Sequence, residues 1–104
     1  MNAARLKVEA EGRCRACGTG RHLEAAHIVA RGRTFAARGY DDPLNIVPLC
    51  NGFANNCHYR YDHSDLDLLG LLTPAEEARA VVLAGGLELA RRRLCPSAYR
   101  QVAA

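Results

Sequence analysis

Lysine is nearly absent from this chain: of its 14 basic residues all but Lys7 are arginine. Long apolar runs are absent too. Nowhere do about 18 apolar residues follow one another, the minimum for a membrane-spanning helix, so no membrane partner is expected. The opening "MNAARLKVEAEGR" has no apolar stretch of signal-peptide type, and the expectation is a cytosolic protein. No internal repeat or low-complexity segment occurs, which excludes solenoids and simple linkers.

Cysteine, by contrast, is plentiful: five in 104 residues. A chain of this length is one small domain, spanning 1–104, and buries a smaller share of its surface than a larger one. A staple would therefore help it. Disulfides rarely persist in the cytosol, where clustered cysteines more often bind metal. The odd count suits four ligands and one spare.

The net charge of +3 is modest but unevenly spread. Between Gly12 and Tyr40 stand Arg13, Arg15, Arg21, Arg31, Arg33 and Arg38, against the single acid Glu24. Acids return from Asp41 onward. An arginine-favouring genome explains this, and so does phosphate contact, to which the guanidinium fork is suited. Composition leaves both open.

Residues 3–11, "AARLKVEAE", read as a helix ended by Gly12. A Gly-bearing knuckle, "CRACGTGRH", follows. "LEAAHIVA" (23–30) and "LNIVPLC" (44–50) read as two short strands, with Pro48 at an edge or strand end. The polar stretch between them is a loop. "NNCHYRYDH" begins a helix over 57–63 with Asn55 or Asn56 as its cap. "DLDLLGLL" is an apolar connector that must pack on something. In "TPAEEARAVVLA", Thr73 is the N-cap, Pro74 sits at N1 and Glu76 closes a capping box. Gly85-Gly86 either kinks that helix or separates it from a second one, "LELARRRL", which ends before Pro96.

Three groups of residues carry chemistry. Cys14-x2-Cys17 presents two thiolates to one tetrahedral ion, and Cys50-x6-Cys57 supplies a second pair for a structural zinc site. A catalytic dithiol would need a βαβ context that is missing. Cys95 reads as a half-buried packing residue. On a helix over 57–63, His58 and Asp62 share one face at i and i+4, where an imidazole and a carboxylate suit a harder divalent ion. A solvated helix face is the plainer account of that pair. His63, at i+5, fits that site less well. His27, in an apolar strand, is either a satisfied core or edge residue or a base able to take a proton from water. The amide of Asn45 can bridge two loops and fix a neighbouring histidine.

C-x2-C, "AHI", "DDPLN" and "LC…CH…D" in that order resemble the HNH endonucleases, the ββα-metal or His-Me finger nucleases, and in particular members from phage genomes. The resemblance covers residues 12–63 and leaves 64–104 as a C-terminal helical extension. It implies an α+β fold: a zinc-stapled ββα-metal core flanked by an N-terminal helix and one or two C-terminal helices. It implies His27 as general base, Asn45 as the residue that orients the catalytic loop, and Cys14, Cys17, Cys50 and Cys57 as zinc ligands. His58 and Asp62 would hold a catalytic ion, Mg²⁺ or else Mn²⁺ or Ni²⁺. Ala26 departs from the pattern, since that family often places a ligand there: either the ion is held by His58, Asp62, water and substrate phosphate, or Glu24 or His63 reaches in, or catalysis is weakened or lost. Arg31, Arg33, Arg38 and Arg60 would contact phosphate.

The expected activity is nicking or cutting of DNA, with RNA left open as the substrate, at low sequence specificity and in a bacterial or phage-infected cytoplasm. The rival is a zinc-stapled nucleic-acid-binding module of the same fold that does not cut. A third reading is a structural zinc domain that docks a partner through "LDLLGLL".

Overall fold

The helix expected at the N-terminus forms over Ala3–Glu11 (α1), and its ends show why. The Asn2 side chain accepts the Arg5 N–H at 2.7 Å, and Gly12 takes the left-handed conformation, φ 68°, that stops the helix. The computed structural model describes residues 2–30, 39–52 and 55–100. Arg31, Arg33 and Arg38, together with the loop between the strands as far as residue 38, lie outside the described residues.

Leu23–His27 (β1) pairs antiparallel with Ile46–Cys50 (β2), Leu23 opposite Cys50 and His27 opposite Ile46. Both strands are shorter than the sequence predicts. Beyond His27 the Ile28 N–H still bonds the Asn45 carbonyl, but Val29 turns to the Asn45 side chain instead of a strand partner. At the other end Pro43–Asn45 is a 3₁₀ turn, because Asp42 caps the Leu44 N–H and Pro43 pre-sets the backbone. Pro48 sits inside β2 without breaking the pairing, since in a two-stranded sheet each strand is an edge. Its carbonyl accepts the Arg15 N–H at 2.8 Å, which docks the 14–17 knuckle on that edge.

Cys57–Asp62 (α2) follows the sheet, so chain order in this part is strand, strand, helix. Asn56 occupies the cap position, but its φ of 47° is left-handed and its side chain caps nothing. An asparagine tolerates that conformation, which turns the chain sharply into Cys57.

Leu68 in the apolar connector is fully buried, and Leu66, Leu69 and Leu72 pack against the same core as Ile28, Val47, Leu49 and Tyr61. Pro74–Ala84 (α3) carries the expected capping box between Thr73 and Glu76. Gly85 and Gly86, at φ 92° and 147°, separate it from Leu87–Leu94 (α4) rather than kinking one long helix. Ala90 and Leu94 of α4 are buried, and the Leu68 N–H bonds the Leu94 carbonyl. A last turn, Ser97–Arg100 (α5), starts where Asp67 accepts from the Ser97 N–H and hydroxyl. No helix of the described residues is long and apolar enough to cross a membrane.

Glu76 does more than cap. It is 2% exposed, yet ionised: Oε1 accepts from Arg15 Nη1 at 2.7 Å and Oε2 from Lys7 Nζ at 2.7 Å. Arg15 also holds Glu11, so α1, the knuckle and α3 are tied at one point. Burial alone would push the Glu76 carboxyl up; the bonds from Arg15, Lys7 and the Thr73 N–H outweigh it and bring it down to about 2. Glu76→Ala should cost about 3 kcal/mol in urea unfolding, the low end for breaking a buried pair because Glu11 still holds Arg15. In the unmutated chain this contribution is complete above the ordinary carboxyl value of 4.5 and is lost as pH falls through about 2. The variant should therefore show a flatter acid limb, and an equal acid slope in both would refute the assignment.

Candidate functional site

The four expected cysteines converge. The Sγ atoms of Cys14, Cys17, Cys50 and Cys57 all lie within 4.8 Å of one another, so these residues can hold one metal ion such as zinc. Each arrives by a separate local device. The knuckle folds back through Gly18 N–H to the Cys14 carbonyl and Cys14 N–H to the Thr19 carbonyl, and the Cys17 N–H points at Cys14 Sγ, 3.5 Å away. Cys50 ends β2, and Cys57 opens α2 after the left-handed Asn56. The loop between them passes so close to the turn before β1 that a Cβ on Gly52 would lie 2.8 Å from the His22 ring. A larger residue at 52 would have to push that ring aside.

Cys14, Cys50 and Cys57 are buried and Cys17 is exposed. Burial pushes the Cys57 and Cys50 thiols up, whereas the Thr19 backbone N–H brings Cys17 down to about 7. Buried thiolates this close repel one another, and a cation among them removes that cost. Cys95 stands apart, half-buried, its nearest polar neighbour being the Ser97 hydroxyl at 3.9 Å.

One residue past Cys57 a second constellation begins. His27, Ala30, His58, Asp62 and Arg93 line a cleft of about 340 Å³. His58 Nδ1 lies 2.7 Å from Glu24 Oε1, and its Nε2 lies 3.4 Å from Asp62 Oδ2. An ionised carboxylate only accepts, so Nδ1 carries the hydrogen toward Glu24. Nε2 and the Asp62 oxygen then face each other with lone pairs, a contact that needs a cation between them, a ring proton or a metal. His27 Nε2 lies 2.9 Å from Asp41 Oδ1, and by the same logic Nε2 carries the hydrogen of that bond.

Asn45 is fully buried and every polar atom of its amide is used. Oδ1 accepts the Val29 N–H, while Nδ2 donates to the carbonyls of Val29 and Tyr40. It bridges Val29, beyond β1, to Tyr40. Its grip on His27 is indirect, through the segment that carries Asp41.

His63 turns elsewhere: Nδ1 bonds the Tyr59 carbonyl at 2.8 Å and the ring stacks on Tyr59 at 4.0 Å. Arg60 is held by Asp65, donating to its carbonyl at 3.0 Å, and does not line the cleft. Ala26 is fully buried against the core and offers nothing to the cleft. Glu24, two residues earlier on the same face of β1, is the side chain that reaches His58.

Asp41 and Arg93 escaped the sequence reading. The first looked like a turn residue before "DP", and the second like one of three arginines at a helix end. No local pattern marks either, because both act across long chain separations. Comparison with known proteins finds no matching family model, no matching curated protein and no matching solved structure.

The cluster predicts one tightly held metal ion per chain by elemental analysis. Cys57→Ser should lose the ion together with the near-native circular dichroism, because coordination is folding free energy here. Cys95→Ser should keep both. Full metal retention in Cys57→Ser would contradict the four-thiol site.

Proposed function

We propose that the chain is a metal-dependent endonuclease of the HNH type that hydrolyses DNA phosphodiester bonds, nicking or cutting with low sequence specificity. The observation that carries this reading is the meeting of His27, His58, Asp62 and Arg93 in one cleft. In support, His27, His58 and Asp62 follow the strand-strand-helix order, beside a thiol cluster, that the resemblance leads one to expect.

In this reading zinc sits among the four cysteines. The donor set of the cleft fits a harder ion: one neutral ring nitrogen beside a carboxylate oxygen, with Glu24 fixing the ring from behind. His58 and Asp62 would hold it, and an ion such as Mg²⁺ keeps most of its waters with so few protein ligands. When bound, it supplies Lewis-acid stabilisation of charge on the phosphoryl and leaving oxygens.

The side chains do the rest. Asp41 holds the His27 ring by Nε2–H, and the open Nδ1 accepts the proton of the attacking water. Asn45 keeps the 28–30 and 40–45 segments in register, so His27 and Asp41 keep their distance. Cleavage on this scheme leaves a 5′-phosphate. Ala26, which offers no ligand, favours a second reading: the same fold as a nucleic-acid-binding module that does not cut.

Supercoiled plasmid decides between them. With Mg²⁺, Mn²⁺ or Ni²⁺ the zinc-loaded chain should give nicked or linear product. His27→Ala should lower the rate by about 10²–10⁴-fold with DNA binding retained, the range for losing a general base. Asp41→Asn should lower it by less. Metal-independent binding with no product in any of the three ions would establish the non-cutting module.

A further inference from the structure

Glu24, Asp41 and Asp62 stand around the two histidines of the cleft, and a phosphodiester entering it is itself anionic. Among the described residues lining the cleft, Arg93 alone carries a fixed positive charge. It comes from α4, in the extension that the resemblance does not cover.

Its setting is unlike that of a solvated surface arginine. The guanidinium lies over the Tyr61 ring, 4.4 Å from its centroid, and Nε donates to the Ile28 carbonyl at 3.3 Å. Tyr61 is fixed in turn, because its hydroxyl donates to the same carbonyl. The side chain is about a quarter exposed, and its Nη2 comes only within 3.7 Å of Asp62 Oδ1, too far for a hydrogen bond. The fork is thus held at its Nε edge, while the side chain lines the cleft with Nη2 toward Asp62. A planar pair of N–H donors held beside His58 and Asp62 matches two oxygens of a phosphate.

We propose that Arg93 is the phosphate-binding residue of this cleft, so that α4 forms part of the site. The proposal rests on the nuclease reading for its substrate, yet it is tested apart from cleavage. A short single-stranded oligonucleotide is titrated into the full zinc-loaded chain without added Mg²⁺, at several salt concentrations.

Arg93→Gln should weaken binding at least about tenfold and flatten the slope of log K against log salt by about 0.7, the loss of one phosphate contact. Plasmid nicking should fall by about 10²-fold, as for other lost oxyanion donors. If Arg93→Gln does not fold, Arg93→Lys decides. It keeps a cation over Tyr61 but loses the fork, and weaker binding supports the proposal while unchanged affinity overturns it. Unchanged affinity and salt slope in folded Arg93→Gln likewise overturn it, even if the chain cuts DNA. Arg93-dependent binding without cleavage by the unmutated chain would sustain the phosphate site and defeat the nuclease reading instead.

Discussion

Everything in the cleft depends on the convergence of four sulfurs beside it. Cys14 and Cys17 come from a knuckle docked on the edge of β2, Cys50 from the end of that strand, and Cys57 from the first turn of α2. This fixes where α2 starts and how it is rotated. His58 is the next residue and Asp62 lies one turn on, so their direction follows from the position of Cys57. Tyr61, buried in the core from the same helix, holds the same rotation. The buried Glu76 with Lys7 and Arg15 secures the other side of the knuckle, and the two anchors together leave it little freedom.

The metal cluster and the His58/Asp62 pair were legible in the sequence because both are set by spacing: C-x2-C, a cysteine-histidine step, and i,i+4 on a helix. The capping box at Thr73 was legible for the same reason. Partners drawn from distant segments were not. Asp41 reaches His27 from beyond the first strand, and Arg93 enters from α4 over a tyrosine; Glu24 was one of two candidates for the site, and only its bond to His58 decides for it over His63. None of these pairings leaves a periodic mark. The strand ends were misjudged where one side chain, that of Asn45, takes over backbone bonds that a ladder would otherwise make.

Electrostatics gives the cleft its character. Two imidazoles are each held at one nitrogen by a carboxylate, Glu24 on His58 and Asp41 on His27. The other nitrogen of His58 faces an Asp62 oxygen at 3.4 Å, a contact that takes either a ring proton or a metal cation. Arg93 lines the same cleft, its Nη2 3.7 Å from Asp62 Oδ1.

On the proposed reading one short helix would anchor two different ions, a soft one through Cys57 and a hard one through His58 and Asp62. Anomalous diffraction from crystals of the zinc-loaded protein soaked in Mn²⁺, recorded at the zinc and manganese edges, tests it directly. The account predicts a zinc peak among the four Sγ atoms and a separate manganese peak between His58 Nε2 and Asp62. Manganese absent from the cleft, with a proton left to join that pair, would contradict it.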